Sequence, residues 1–162
     1  MDLGGQWLGP HHKHALELVN RFGFKLLQQY ERGNHIVQVG DKKYFYTTDE
    51  PVKQDDPLYG LEVLAERVDK MAQQLSDSGM KESKWNEEEK KMDFVTFSKF
   101  LEDQSKDPKV GQLGSKLLEY ALTTLISAEP EEYSLLFFLY FLKSCVGYHP
   151  LFDMSMKINF FF

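Results

Sequence analysis

One cysteine, Cys145, stands among 162 residues, which excludes an intrachain disulfide and a cysteine-rich zinc site. Long hydrophobic runs are missing too. The most apolar stretch, 135–142, is far short of the roughly 20 residues a membrane-spanning helix needs. Positive charge is in deficit, with nineteen Lys+Arg against twenty-five Asp+Glu for a net −6. No basic cluster interrupts that balance, and a nucleic-acid partner needs a positive stripe to neutralise phosphates, so that class is excluded. The opening Met-Asp-Leu-Gly-Gly-Gln-Trp has neither the basic nor the apolar region of a secretory signal. A reducing compartment is the expectation. No serine sits in a Gly-x-Ser-x-Gly elbow, so hydrolase chemistry has no support. What is present, 42% hydrophobic, 14% aromatic and 27% charged residues, is an ordinary globular composition and argues against disorder along the whole chain. At about 150 residues per domain the length allows one domain with an appendage.

Residues 1–10 are glycine-rich and end at Pro10. The spacing of Ala15, Leu18, Val19 and Phe22 predicts a helix over 14–22, closed by Gly23. Residues 24–28 read as a short extended piece. Two alternating runs, 35–39 and 43–47, flank Gly40-Asp41 and predict a hairpin. Leu61, Leu64, Val68, Met71 and Leu75 form the clearest helical stripe. The charged stretch 76–91 reads as an exposed linker. Thr96 suits the cap of a helix through Asp103, and Leu117, Leu118, Ala121, Leu122 and Leu125 mark another. Pro130, followed by Glu131 and Glu132, predicts the first turn of a further helix running to about Ser144. That helix is apolar almost all round and so requires burial. The end, 154–162, shows no turn chemistry and finishes in three phenylalanines.

Chemistry concentrates in Asp2-Leu3-Gly4-Gly5-Gln6-Trp7-Leu8-Gly9-Pro10. Paired glycines let a backbone approach a flat or charged ligand, having no Cβ to hold it off, and Trp7 supplies an aromatic wall. The plainer reading is a glycine-rich turn without function. His11, His12 and His14 cluster, yet adjacent histidines do not by themselves converge on one ion, and solvent-exposed positions at a helix start explain them. Cys145 reads as a buried, inert thiol. Glu87, Glu88 and Glu89 with Lys90 and Lys91 read as a solvated charge run.

As a string, residues 2–10 resemble the second flavin-contacting segment of the flavin-containing amine oxidases, the monoamine and polyamine oxidase family. Arg21-Phe22-Gly23-Phe24 is similar to the phrase that follows the next helix in that family, and the hairpin looks like its first excursion into the substrate domain. A second match runs from Ser127-Ala128-Glu129 through Leu135-Leu136-Phe137-Phe138-Leu139-Tyr140-Phe141-Leu142-Lys143-Ser144-Cys145, which is similar to the family's buried substrate-domain helix and its Cys-Gly-Gly end. The resemblance covers most of residues 2–153. It implies that Gly4, Gly5, Gln6 and Trp7 lie along FAD. It implies that Thr124 and Leu125, and a second pair, Leu151 and Phe152, line a cavity for a small-molecule amine, although Leu125 and Phe152 suit ordinary core equally.

The chain departs from the family in three places. Val146 stands where the family has the first glycine after the cysteine. The Gly-x-Gly-x-x-Gly turn that holds a dinucleotide's pyrophosphate is absent, as are the family's flavin-proximal lysine and aromatic cage. Beyond Asp153 the sequence leaves the family pattern. The expectation is an internal stretch of an amine oxidase, from a truncated gene model or splice product. It comprises a remnant of the FAD-binding domain over 1–33, a partial helical substrate domain over 34–153 and an aberrant tail over 154–162. The expected fold is α+β, mostly helical, with one β-hairpin and exposed apolar area around Phe137, Phe141 and Phe160. The isolated chain is expected to be catalytically silent. The alternative is a non-catalytic helical interaction module that associates with a partner through its apolar helix.

Overall fold

The computed structural model describes residues 7–9, 12–28, 33–46, 52–148, 151 and 158–161. In chain order the elements are β1 (Trp7–Leu8), α1 (Lys13–Phe22), β2 (Lys25–Gln28), β3 (His35–Val39), β4 (Lys42–Tyr46), α2 (Tyr59–Gln74), a 3-10 turn (Glu82–Lys84), α3 (Glu87–Asp93), α4 (Phe97–Ser105), α5 (Gly111–Ile126), α6 (Leu135–Ser144) and β5 (Ile158–Phe161). The class is α+β and mostly helical.

The stripe read on α2 becomes the spine of the core. Leu64, Ala65, Val68 and Ala72 are buried along one face, and burying a leucine or valine fully contributes about 1.5–3 kcal/mol. They meet α5 at very short range. A Cβ on Gly114 would fall 2.5 Å from the Gly60 carbonyl carbon, and one on Gly60 would enter the Val110 carbonyl oxygen. Glycine at both positions is therefore what lets the two backbones touch. Phe97 of α4 fills the centre, fully buried, with its ring centroid 4.3 Å from Phe138 and 5.5 Å from Tyr133.

The starts of α4 and α6 are stitched together. Thr96 and Ser134 form an isolated antiparallel bridge, and each hydroxyl caps its own helix, accepting from Lys99 N–H at 3.2 Å and Phe137 N–H at 3.1 Å. The first-turn amides of Phe97 and Ser98 donate to the Tyr133 and Pro130 carbonyls, and that of Leu135 to the Val95 carbonyl. Donors that a helix start leaves without an internal partner are thereby satisfied.

Three expectations need correction. Pro130 does not open the apolar helix: it lies buried in the turn before it, and α6 begins at Leu135 behind the Ser134 cap. A side-chain cap accepting from N3 outweighs proline's preference for a first turn. The stretch 76–91 is mostly exposed, as expected, but it is not a plain linker, since it holds the 3-10 turn and the start of α3. Glu89 within it is 1% exposed, so the charge run is solvated on both sides of one buried carboxylate.

The hairpin pairs His35 with Tyr46 through Val39 with Lys42, and Gly40 turns at φ +59°. Its register partners Ile36 and Phe45 are both exposed. Beyond the hairpin, β5 lies between β1 and β2 and pairs antiparallel with each. Residues 158–161, read from sequence as part of a tail without turn chemistry, thus form the middle strand of a three-stranded sheet. The apolar helix α6 is packed as expected, with Leu135, Leu136, Phe138, Leu139, Tyr140 and Leu142 buried. Phe137 stays 37% exposed, Phe141 is half-buried, and the side chain of Phe160 lies outside the described residues.

Candidate functional site

Three places carry chemistry: the N-terminal edge around β1, the last turn of α5, and the surface between α6 and the loop after α2. Gly4, Gly5 and Gln6 lie outside the described residues, as does the side chain of Trp7. The backbone of Trp7 opens β1 and pairs with Asn159, at the outer edge of the three-stranded sheet. Leu8 and Gly9 are buried. A tight turn follows, in which the Gly9 N–H donates to His12 Nδ1 at 3.1 Å and the His12 N–H returns to the Gly9 carbonyl at 3.0 Å. An imidazole that accepts at Nδ1 carries its proton on Nε2. His12 therefore closes the turn that leads from β1 into α1, while His14 lies exposed beside Glu17 at 3.5 Å.

On α5, Thr124 and Leu125 are exposed at the last turn, Leu125 to 40%. The Thr124 hydroxyl donates to the Tyr120 carbonyl at 3.0 Å. Ser127 ends the helix in the left-handed conformation, φ +57°. Leu151, by contrast, is buried in the helical core, and Phe152 lies outside the described residues. The two members of the α5 pair thus share one exposed surface, and Leu151 is not part of it.

Sequence reasoning missed the most constrained ionisable group. Glu89 Oε1 accepts from the Ser76 N–H at 2.8 Å and from the Tyr140 hydroxyl at 2.9 Å, while Oε2 accepts from the Asn86 N–H at 2.8 Å. Burial pushes this carboxyl up, but the donors from Asn86, Ser76 and Tyr140 outweigh it and hold the group down at about 2. One carboxylate thereby ties the loop after α2, the start of α3 and the middle of α6. Tyr140 continues the network outward through Ser78 Oγ at 2.7 Å and Ser76 Oγ at 3.2 Å. The signal available in the sequence was Asn86-x-x-Glu89, a capping-box spacing, and both halves of that box are present. Tyr133 behaves oppositely. Its buried hydroxyl has no hydrogen-bond partner among the described residues, and burial, with Glu119, Glu129 and Glu131 nearby, pushes it up to about 12.

The Cys145 thiol is half-buried beside the Ser144 hydroxyl, 3.9 Å away. Among the described residues no three His, Cys, Asp or Glu side chains converge as a metal site, and no helix is long and apolar enough to cross a membrane.

The arrangement of core helices, hairpin and split sheet has counterparts among known proteins. Solved structures of putrescine oxidase, including the wild type bound to putrescine and variants redesigned in cofactor binding, superpose on 99% of this chain with TM-score 0.79 at 19% identity. The chain covers 35% of each of those structures, and the likeness defines the fold as that of the amine oxidases. In sequence it is 30% identical over 152 residues to a probable flavin-containing monoamine oxidase A of Dictyostelium discoideum, a match covering 94% of this chain and 32% of that protein. No protein-family model matches. The chain belongs to the flavin-containing amine oxidase family, and it spans about a third of the length of the curated relative it matches.

Proposed function

We propose that this chain forms one wall of the flavin site and part of the substrate domain of an amine oxidase, and that alone it is catalytically silent. The chemistry FAD supplies when bound in such an enzyme is acceptance of a hydride from an amine, giving an imine for hydrolysis, with oxygen as the final electron acceptor. The contribution of this chain is positional. Gly4, Gly5, Gln6 and Trp7 run along the flavin, the glycines allowing close approach. Thr124 and Leu125 present a wall to the substrate from α5, which their exposure supports. Leu151 and Phe152 form the second lining pair, and the burial of Leu151 supports a backing rather than an open position.

One observation carries the reading. The sequence match runs along 94% of the chain, yet no Gly-x-Gly-x-x-Gly occurs in these 162 residues. A dinucleotide's pyrophosphate is normally bound by such a turn at a helix N-terminus, so these 162 residues hold no such cradle, which supports the reading of a wall without a grip of its own. Incubating the purified chain with FAD, filtering it through a sizing column and recording its absorbance tests this. The expected outcome is no retained flavin band and no peroxide from putrescine or benzylamine. A band that co-elutes with the chain, accompanied by amine-dependent peroxide, overturns it.

A further inference from the structure

Three polar groups of His12 meet at the junction of β1 and α1. Its N–H donates back to the Gly9 carbonyl at 3.0 Å, its carbonyl accepts from the Leu16 N–H at 2.9 Å, and its Nδ1 accepts from the Gly9 N–H at 3.1 Å. His12 is the cap residue of α1, yet its side chain makes no bond to the first turn of that helix. A side chain at that place ordinarily turns forward onto the second or third helical N–H. The imidazole turns backward instead, and takes up the N–H of a residue that is buried. A buried N–H without an acceptor is destabilising, so Gly9 depends on this ring. The strand it follows is short. β1 spans only Trp7–Leu8 and pairs with β5 alone, so two residues of ladder hold it weakly, and the closed turn supplies the second anchor.

We propose that His12 is a positioning residue for the flavin wall: its neutral imidazole locks the turn after β1 and so fixes the course of the segment 4–7 that enters the strand. The purpose of the lock rests on the oxidase reading; the lock itself does not. The histidine cluster thereby divides, with His14 exposed beside Glu17 and His12 acting as a hydrogen-bond acceptor.

Nuclear magnetic resonance on the 15N-labelled full chain tests the proposal. A coupling across the hydrogen bond, between the Gly9 amide nitrogen and His12 Nδ1, is expected, with the ring proton on Nε2. His12→Phe keeps a ring and removes the acceptor. Exchange of the Gly9 amide should then rise about three- to tenfold, the range of one hydrogen bond, with the β1 amides following. His12→Asn places Oδ1 where Nδ1 stood and should restore the protection of Gly9, whereas a packing role would be met by phenylalanine and not by asparagine. His12 is exposed, so both variants retain the fold, which unchanged exchange in α2 and α5 verifies. A missing coupling, a ring proton on Nδ1, a Gly9 amide as slow in the phenylalanine variant as in the parent, or no recovery with asparagine each overturns it. Failure of the lock shows in these amides whatever the chain does with flavin, whereas failure of the oxidase reading shows in the flavin band and leaves the coupling between Gly9 and His12 as it is.

Discussion

Val146 gives the clearest test of how this chain is built. It follows α6 with φ +66°, while its N–H reaches the Lys143 carbonyl at 3.2 Å and the Gly147 N–H reaches the Leu142 carbonyl at 3.1 Å. This is the Schellman closure of a helix, whose left-handed residue is ordinarily glycine. A side chain there costs roughly 1–2 kcal/mol, and branching at Cβ aggravates the clash. Val146 is 67% exposed, so its removal sacrifices little burial. Glycine's extra freedom in the unfolded chain offsets about 0.5–1 kcal/mol. Val146→Gly should therefore stabilise by about 1 kcal/mol. In urea unfolding followed by helical circular dichroism, the midpoint should rise by about 0.5 M at unchanged slope, for a slope of about 2 kcal/mol/M. Val146→Ala keeps the Cβ and should gain less. An unchanged or lowered midpoint for the glycine variant refutes the account of backbone strain.

Other outcomes follow from the buried polar groups. Glu89→Gln leaves an amide facing the Asn86 N–H, donor against donor, and should destabilise by about 1.5–3 kcal/mol, read as a fall in the denaturant midpoint. Because Glu89 is held at about 2 against an ordinary 4.5, its contribution is complete above 4.5 and is lost as pH falls toward 2. The glutamine variant should lose less stability than the parent across that interval. Tyr133→Phe removes a buried hydroxyl that has no partner among the described residues, so it should be neutral or stabilising by up to about 1 kcal/mol, and a clear drop in thermal midpoint would reveal a bond to that oxygen.

Much of the helical core could be read directly. The stripe of α2 and the Thr96 cap rest on local periodicity and local hydrogen bonding, which the sequence displays within a few turns. Pro130 misled because two local rules competed, and the Ser134 cap together with the bridge to Thr96 decided the outcome. Glu89 was illegible as a buried group because its partners come from far away: Tyr140 lies 51 residues on, and the Ser76 amide 13 residues back. Composition around Glu89 reports only its exposed neighbours, Glu88 and Lys90. Within the candidate site, Thr124 and Leu125 fall on an exposed surface of α5, while Leu151 is absorbed into the core. A lining role and a packing role demand the same apolar residue, so the sequence alone does not separate them.

The sheet imposes an order on assembly. β1 and β2 do not pair with each other, and both bond to β5, so strands from opposite ends of the sequence must meet before either early strand has a ladder. Closing so long a loop is entropically unfavourable and slow, whereas the helices from α2 to α6 are near neighbours in sequence and can pack first. The strands β1 and β2 would then be ordered last, and deleting residues 158–161 would leave them as unpaired edges, open to pairing with other chains.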